Sequence, residues 1–522
     1  MANEPLKIAL VCDRRGDLEP WMQRLATRIE ATSGLELSAL IERDADKTER
    51  PKPALGWWWR LESKLAAKPK AANTSEFENV LSELPIIGST DARAISTLEC
   101  DIILDLTHQC GLGVDPKLCR FGVWVLDMLG PTYGHESVRA IVSRSRLIEI
   151  NLCRLSAETP KADIIGTATL NTKFIAALNH LYLCEKSVTL IMRELKRVQL
   201  DGALQASGSK TLAQPASLSF ATLFKYGTHL GREVVTRIGT KIGSKLGLRP
   251  GMFYLQTAQA SLAAFDPAKM TPQPVSGNTY YADPFLWEKN GETHCFFEIY
   301  DYKTSHGHLG VGRFKNGVLT ETRSIIKSDY HMSYPFLFEH GDQLYMIPET
   351  CGAKRIELWK CVNFPDGWER DRILLDDVIA ADTSIAEING EWWLFTNIST
   401  DPFGEMNSEL HVYKIDGPDL KTLTPHPLNP VVFDARTARN GGRIHHENGA
   451  VLRASQNNSH GLYGYGLNLM NIAKISMTEY VESLERAVEP DFKPDLIGCH
   501  HIDIRDGLVV IDVRKRIGGR AG

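Results

Sequence analysis

The sequence lacks several features that would assign it to a common functional class. No stretch reaches the roughly 18 consecutive apolar residues that a membrane-spanning helix requires. The formal net charge is only −5 over 522 residues, which gives no electrostatic reason to expect nucleic acid or an anionic membrane as a partner. The glycine pattern of dinucleotide-binding proteins is absent after the first predicted strand, so the sequence predicts no nicotinamide site.

Cysteine chemistry is equally sparse. The ten cysteines are scattered, with no C-x-x-C pair and no regular framework. Residues 1–7 contain no long apolar run, so no signal peptide is predicted. We therefore expect reduced thiols and a cytoplasmic protein. The closely spaced Asp and His residues of a tight metal site are also missing, so the sequence predicts no metal centre and leaves the cofactor unknown.

The chain is too long for one hydrophobic core, so two or three domains are expected. Its start reads as a buried-type strand over 6–12, an amphipathic helix over 18–32 and a second strand over 35–41. A strand–helix–strand start implies parallel pairing. The sequence thus predicts a Rossmann-like α/β domain with a parallel sheet over 1–200.

A helical linker is predicted over 201–270. Gly202–Ser217 is rich in Gly, Ser, Ala and Gln and is expected to be flexible. Residues 220–248 form a basic amphipathic helix, which either makes peripheral contact with a membrane or packs on a neighbouring domain with its Lys and Arg side chains solvated. A Trp run at 57–59, within a Lys- and Pro-rich insertion over 47–73, has the same two interpretations: a partner- or lipid-facing patch, or core packing.

A repeated unit organises residues 271–522. In its first copy, Ala282-Asp-Pro-Phe precedes a strand, Asn290-Gly291 makes a tight turn, and a second strand follows. Four more copies follow at intervals of 49 to 59 residues, and the equivalent starts are Pro284, Pro335, Ser384, Gly441 and His500. A period near fifty with several short strands per unit is typical of a β-propeller, and five units predict a five-bladed one.

A propeller brings the starts of its inner strands to one central channel, so side chains distant in sequence meet there. The candidate catalytic residues at these positions are Asp283, Glu349, Asp382 and His331. The candidate substrate-binding residues are Tyr281, Ser333, Arg439, His500 and His501. Carboxylates with His and Arg around one cavity suit sugar chemistry, since neighbours raise the pKa of one acid while another stays ionised. The alternatives are that Asp283 caps a turn and that Arg439 pairs with Asp434.

The first 200 residues resemble the formyltransferase fold of methionyl-tRNA and sugar N-formyltransferases. The resemblance rests on the strand–helix start, on Asp101-Ile-Ile-Leu before a loop, and on Phe121-Gly-Val-Trp before Gly130-Pro131. It implies a folate donor by fold analogy and a site with an Asn-x-His pair. The matching positions here, 125–127, read Val-Leu-Asp, so the resemblance implies a divergent site or an acceptor-binding role. His135-Glu136 is either an acid–base pair or part of a solvated loop.

A second resemblance covers about 275–515. Its motifs include Tyr281-Ala-Asp-Pro-Phe, His331-Met-Ser-Tyr-Pro-Phe, Met346-Ile-Pro-Glu-Thr, Asp382-Thr-Ser-Ile and Ala438-Arg-Asn-Gly-Gly. Together they look like the N-terminal propeller of the glucosamine inositolphosphorylceramide transferase family, which is itself similar to the five-bladed arabinanase and β-xylosidase glycosidases. The glycosidase likeness implies a base Asp, a pKa-tuning Asp and an acid Glu. Asp283 fits the base, and Asp382 and Glu349 are plausible equivalents.

Three functions are compatible with these residues. The first is a transferase acting on a nucleotide sugar or a surface-glycan precursor, with the sugar in the propeller channel. The second is a glycosidase that uses the same carboxylates, and the third is a non-catalytic glycan-binding scaffold. A sugar or nucleotide sugar is thus the expected partner, and the oligomeric state stays open.

Overall fold

The computed structural model describes residues 4–13, 18–43, 57–65, 80, 84–88, 92–107, 115–129, 134–156, 161–212, 218–245, 251–275 and 279–516. Most of the 47–73 insertion, together with Gly130-Pro131, lies outside these residues. The chain forms two compact units. The first consists of Met1–Val235 and Thr400–Phe403, and the second of Thr236–Ser399 and Gly404–Gly522.

The first unit contains one eight-stranded sheet in the order β3-β2-β1-β4-β5-β6-β7-β8. Its strands are β1 Leu6–Cys12, β2 Leu35–Glu42, β3 Ile86–Gly88, β4 Ile102–Asp105, β5 Val123–Leu126, β6 Leu147–Leu155, β7 Lys161–Asn171 and β8 Gly208–Thr211. Strands β1 to β5 pair in parallel, as predicted. Strands β6 to β8 run antiparallel, so the sheet is mixed and not the parallel sheet expected from its start. The short connection from β6 to β7 suffices for an antiparallel pair, whereas a parallel pair needs a crossover.

The helices described in the first unit pack apolar faces on this sheet or on one another. They are α1 Pro20–Glu30, α2 Trp57–Leu65, α3 Ala92–Thr97, α4 His135–Val142 and α5 Ala176–Asp201. Trp59 is buried in a small apolar cluster with Val138 and Tyr226. For this residue of the Trp run, the structure therefore agrees with core packing. The side chains of Trp57 and Trp58 lie outside the described part of the chain. A sixth helix, α6 Phe220–Lys245, follows.

The second unit contains five groups of antiparallel strands in the arrangement of a five-bladed propeller. The first three blades are β11 Thr279–Lys289, β12 Glu292–Asp301, β13 His306–Lys315 and β14 Val318–Ile326; β15 Ser333–His340, β16 Gln343–Glu349, β17 Arg355–Asn363 and β18 Gly367–Asp376; and β19 Ala380–Ile388, β20 Glu391–Ile398, β21 Glu409–Ile415, β22 Leu423–Pro425 and β23 Val432–Phe433. The fourth is β24 Asn440–Glu447, β25 Ala450–Asn457, β26 Gly466–Ile475 and β27 Tyr480–Val488. The parallel pair of Gly442 and Ile502 joins it to the fifth blade in one nine-stranded sheet.

The fifth blade joins strands from both ends of the unit. It contains β28 Leu496–Gly498, β29 Ile502–Arg505 and β30 Leu508–Lys515, together with β9 Met252–Gln259 and β10 Thr271–Pro272. Strand β9 pairs with β30 along its whole length, from Met252 opposite Lys515 to Gln259 opposite Leu508. The range predicted as a helical linker therefore includes a strand that closes the ring with a main-chain hydrogen-bond ladder.

The inner strands of three blades share a strained feature at the same position. Asp283, Tyr334 and Asp382 have positive φ values of 51°, 48° and 51°. In each case the pairing with the second strand shifts register across this residue, as in a β-bulge. Aspartate tolerates the left-handed conformation, but a bulky tyrosine rarely adopts it. The Tyr334 hydroxyl donates to the Gly442 carbonyl oxygen at 2.8 Å, which helps hold it there.

Candidate functional site

The bulges set which side chains meet inside the ring. Just before each bulge, a small residue on the inner strand pairs with a polar residue on the second strand. These pairs are Ala282 with Glu298, Ser333 with Glu349, and Ala381 with Asn397. The register thus brings a polar side chain from the second strand to the level of the bulge residue in three consecutive blades.

Arg439 lies at the centre of the resulting cluster. Its Nε donates to Asp382 Oδ2 at 2.7 Å, and its Nη2 donates to Glu349 Oε2 at 3.3 Å. Its Nη1 donates to Asn407 Oδ1 at 3.2 Å. Gln456 Nε2 supplies another donor to Asp382 Oδ2 at 3.1 Å. Arg439 is only 7% exposed. It is therefore a buried cation, and two acidic side chains from different blades share it.

A second part of the cluster is a chain of acid, imidazole and acid. His500 Nδ1 lies 2.7 Å from Asp512 Oδ2, and its Nε2 lies 3.7 Å from Asp283 Oδ1. The backbone N–H groups of His500 and His501 donate to Asp512 Oδ1, both at 3.0 Å. The backbone N–H of Asp283 donates to Asp512 Oδ2 at 3.1 Å. Asp512 thereby fixes the orientation of His500 towards Asp283.

Burial and charge separate the protonation states of these acids. Burial raises the pKa of Asp283 to about 7, against the opposing positive charge of His500. Burial and the negative charge of Asp382 raise the pKa of Glu349 to about 8, against the opposing charge of Arg439. Burial opposes the pairing of His500 with Asp512, yet their attraction raises the pKa of the imidazole and lowers that of the carboxyl. Two acids of the cluster, Asp283 and Glu349, therefore titrate near neutral pH and can each exchange a proton there.

These shifts predict a pH dependence of stability. The pKa of Glu349 in the folded state lies above that of an unfolded chain, so the folded state binds a proton that the unfolded state has released. This contribution is fully present below the unfolded pKa and is lost as pH rises through about 8. The free energy of unfolding should fall by up to about 1.4 kcal/mol per pH unit for one such group. Chemical denaturation at several pH values between 4.5, the usual pKa of a Glu side chain, and about 8 measures the slope of the free energy of unfolding against pH. Glu349→Gln should flatten it, and an unchanged slope in that variant would contradict the assignment.

His331 lies at the rim of the cluster. Its Nε2 is 3.3 Å from Glu298 Oε1, and its side chain is 37% exposed. The backbone N–H of Gly307 donates to His331 Nδ1 at 3.0 Å. A Cβ at Gly307 would lie 2.3 Å from Glu298 Oε1 and 2.4 Å from His331 Cε1, so only glycine leaves room for this pair. Burial, with the negative charge of Asp283, raises the pKa of Glu298 well above its usual value.

Aromatic rings hold His500 on two sides. The Phe253 ring stacks on it with centroids 4.7 Å apart, and the edge of Tyr463 approaches at 5.3 Å. Tyr463 also lies 4.8 Å from the Arg439 guanidinium and is 41% exposed. It is therefore the ring of this set that can stack on a sugar entering from solvent.

The other predicted contacts divide into two groups. Ser333 is buried opposite Glu349, and His501 Nδ1 lies 3.6 Å from Asp283 Oδ1. Burial lowers the pKa of His501 to about 4, so this imidazole is neutral. Tyr281 lies elsewhere: its ring packs on Phe297 at 4.5 Å in the core between the first and fifth blades. The structure brings together Asp283, Glu349, Asp382, Arg439, His500, His501 and Ser333, with His331 at the rim and Tyr281 outside.

Several cluster residues escaped sequence reasoning. Asp512, Glu298 and Gln456 stand on second strands and had no predicted role. The available signal was a single acid in an otherwise apolar strand, as in Val509-Val-Ile-Asp512 and Phe296-Phe-Glu298. An ionisable side chain in such a run is fully buried only if it has a partner.

The same residues bear on metal binding. Asp283, His500 and Asp512 offer ligand atoms that lie within 4.8 Å of one another, a spacing that would accommodate a cation. Asp512 and His500 are, however, in direct hydrogen-bond contact at 2.7 Å. A hydrogen bond already pairs the two groups, so His500 Nδ1 and the Asp512 carboxylate would have to give it up to bind a cation.

A cavity of the propeller lies away from this cluster. It has a volume of about 510 Å³ and is lined by the later residues of the inner strands of the second, third and fourth blades, including Phe336, Ile385 and Arg443. The acids and His500 cluster instead at the starts of inner strands and on the second strands. Asp283, Glu349, Asp382 and His500 are therefore separate from this cavity.

The match to known proteins falls on the propeller. Residues 266–494 match the family described as glucosamine inositolphosphorylceramide transferase 1, N-terminal. Glucosamine inositolphosphorylceramide transferase 1 of Oryza sativa subsp. japonica is 32% identical over 235 residues, which is 43% of this chain and 31% of that protein. The Arabidopsis thaliana protein of the same name is 29% identical over 237 residues, 44% of this chain and 31% of its own length. The chain thus spans about a third of the length of these relatives.

The matched range contains part of the site. Asp283, Glu349, Asp382 and Arg439 lie inside 266–494, whereas His500 and Asp512 lie beyond it. Strands β9 and β30, which close the ring, are also outside. The family match therefore covers the first four blades, and the closing blade rests on the strand pairing described above.

Two solved structures with low similarity to this chain are named as an α-L-arabinofuranosidase and an α-L-arabinanase. The α-L-arabinofuranosidase from Lactobacillus brevis is 17% identical, with 43% of this chain and 78% of that chain covered and a TM-score of 0.33. The α-L-arabinanase from Cellvibrio cellulosa is 14% identical, with 44% and 86% covered and a TM-score of 0.31.

Proposed function

We propose that this chain is a carbohydrate-modifying transferase that holds the sugar of a nucleotide sugar or of a surface-glycan precursor in the propeller channel. One observation carries the proposal: acids from different blades, Asp283, Glu349 and Asp382, converge with Arg439 in one buried cluster. The name of the matched relatives, a transferase of glucosamine, supports the same reaction class.

The residues take distinct roles in this proposal. Asp283, with its pKa near neutrality, accepts the proton of the acceptor hydroxyl. His500, oriented by Asp512, stands next to that carboxylate and stabilises its ionised form until the proton is accepted. Glu349 donates its proton to the leaving-group oxygen as the bond from that oxygen to the sugar breaks, and burial together with the negative charge of Asp382 keeps Glu349 protonated until then. Arg439 fixes both acids and donates to sugar hydroxyls.

Charge decides which part of the substrate enters. The buried cluster contains four carboxyl groups besides Glu298, and its cations, Arg439 and His500, are already paired with them. A diphosphate would bring further negative charge into a site of low dielectric, where like charges repel strongly. A neutral sugar ring avoids this cost and meets the hydroxyl-binding groups. We therefore place the sugar ring in the channel, with the phosphate bonded to its anomeric carbon at the edge of the cluster, within reach of the proton donor.

A second candidate, a non-catalytic glycan-binding scaffold, is favoured by the same arginine. Arg439 engages Asp382 and Glu349 at once, and carboxylates held in this way are good hydroxyl acceptors even when they transfer no proton.

A third candidate, a glycosidase, would use Asp283 and Glu349 with water as the acceptor. The product distinguishes the three: a transferred sugar, no change, or a released sugar.

A product screen tests the proposal. The full chain is incubated with a panel of nucleotide sugars and extracted glycan precursors, and mass spectrometry follows the acceptor. We expect an acceptor mass increased by one sugar residue. Free sugar without a modified acceptor would instead indicate hydrolysis, and binding without any product would indicate a scaffold. Crystals soaked with the same compounds would show whether density fills the channel.

The proposed roles predict a bell-shaped pH dependence of kcat/KM. Activity should rise as pH increases through about 7, because Asp283 must be ionised. It should fall as pH increases through about 8, because Glu349 must keep its proton. The outer limbs should change about tenfold per pH unit. Glu349→Gln should remove the alkaline limb along with most of the activity. A profile without an alkaline limb in the parent protein would contradict the role of Glu349.

The first unit has a less defined part in the proposal. The family match falls on 266–494 and gives no support to the formyltransferase resemblance of this unit, so acceptor binding rests on the sequence alone, in which the Asn-x-His pair is missing at 125–127. Near this point Lys210 Nζ binds Asp127 Oδ2 at 2.6 Å, and Asn151 Nδ2 donates to the same oxygen at 2.9 Å.

We extend the proposal to a cytoplasmic location. The nine cysteines in the described residues are all free, which supports it.

A further inference from the structure

Helix α6, Phe220–Lys245, exposes a stripe of apolar side chains in two parts. Large apolar side chains on it are exposed to an extent unusual for a folded chain. They are Phe220 at 83%, Phe224 at 66%, Val235 at 70%, Ile238 at 54% and Ile242 at 53%. Intervals of three, four and eleven residues place all five on one side of an α-helix. The stripe therefore consists of Phe220 with Phe224 and of Val235 with Ile238 and Ile242, and Gly227 and Gly231 lie on the same side between the two parts.

The helix is anchored by a different side. Tyr226 is 1% exposed, and its hydroxyl accepts from the Ala176 N–H at 2.9 Å and donates to Glu62 Oε1 at 2.5 Å. Leu230 packs against the same small apolar cluster. Tyr226 and Leu230 lie roughly a quarter turn or more from the stripe, so the contacts that hold the helix leave the stripe uncovered by the described residues.

Charge on the helix differs from charge on the chain. The chain carries a formal −5, yet 220–245 contains five Lys or Arg and one Glu. Lys225, Arg232, Arg237 and Lys241 are exposed. Charges on a surface act over about 10 Å at moderate salt, so the local balance decides binding and not the total. The local charge of this helix therefore favours an anionic partner, which the small net charge of the whole sequence does not indicate.

We propose that α6 lies in the plane of an anionic lipid surface, with the stripe among the acyl chains and the basic side chains at the headgroups. Phenylalanine and isoleucine flanked by Lys and Arg are typical of such helices. No helix among the described residues is long and apolar enough to cross a membrane, which agrees with an in-plane position. The inference goes beyond the sugar-transfer proposal and does not depend on it.

Vesicle co-sedimentation of the full chain tests this inference. The probes are vesicles of phosphatidylcholine alone and of phosphatidylcholine mixed with phosphatidylglycerol. We expect binding to the mixed vesicles only, with a loss as salt increases. Phe224→Ser with Ile238→Ser should weaken this binding by at least about tenfold. Lys225→Glu with Lys241→Glu should weaken it to a similar extent, at least about tenfold.

A matched control uses apolar residues of equal exposure on the propeller. Val362 and Leu484 are 52% and 56% exposed, close to Ile238 and Ile242. Val362→Ser with Leu484→Ser should bind as the parent does. All variants change exposed side chains, so their circular dichroism and Tm should match the parent. Equal loss in the control, unchanged binding in both α6 variants, or no preference for anionic vesicles would overturn the inference. A dimer that Phe224→Ser with Ile238→Ser dissociates, without vesicle binding, would also overturn it and identify the stripe as a contact between two copies.

Discussion

Asp283→Asn should lower turnover by about 10²- to 10⁴-fold, the range for loss of a general base. Asparagine has the same shape, and it tolerates the left-handed φ of 51° that this position requires. The backbone hydrogen bond from residue 283 to Asp512 is also kept. Only the proton-accepting carboxylate is lost. Product formation under saturating substrate measures the effect.

Asp377 offers a matched control for this substitution. It has the same φ of 51° and is exposed, away from the cluster. Asp377→Asn should leave turnover unchanged. If Asp283→Asn altered the affinity for a glycan but no turnover existed to lose, the chain would be a binding scaffold. If turnover existed and survived the substitution within a few-fold, the base would be another residue.

Arg439→Met should destabilise the propeller by about 3–5 kcal/mol, the usual cost of removing one partner from a buried ion pair. The side chains of Arg439, Asp382 and Glu349 are all less than a tenth exposed. Without the guanidinium, Asp382 is left as a buried charge without a cation, although it keeps its side-chain hydrogen bonds with Gln456 and Glu349. Thermal or chemical unfolding of the full chain measures the loss.

A nearby arginine calibrates this result. Arg436 pairs with Asp434 at 2.5 Å, but its side chain is 54% exposed. Exposed pairs contribute about 0–1 kcal/mol, so Arg436→Met should change stability little. In the Arg439→Met background, Asp382→Asn should restore part of the stability because it removes the unpaired charge. Equal effects of the two arginine substitutions, or no recovery with Asp382→Asn, would contradict a buried charge network.

Parts of this site were predictable because they follow from a local repeat. Asp283 and Asp382 occupy the same place in two copies of one motif, and both copies form the same bulge with the same φ. Glu349 was predictable for a related reason, since it ends a strand next to that motif. In each case a short stretch of chain determines where the side chain points.

The partners of these residues were not predictable in the same way. Arg439 had two sequence-based interpretations, one of them a pair with Asp434. The structure pairs Asp434 with Arg436 and gives Arg439 to Asp382 and Glu349. A residue three positions closer in sequence took the expected partner. Side-chain distances between blades depend on how the whole ring closes, and no local pattern encodes them.

Residue types and their period near fifty determined by themselves that the second half would form a ring of similar blades with acids and imidazoles at the inner strand starts. Local hydrogen bonding and side-chain alternation act over a few residues, so a sequence expresses them directly. Tertiary structure alone decided the ring closure by β9 and β30, the link between Asp283 and Asp512 over 229 positions, and the raised pKa values of Asp283 and Glu349. These depend on burial and on distances between segments remote in the chain, which exist only once the blades have packed.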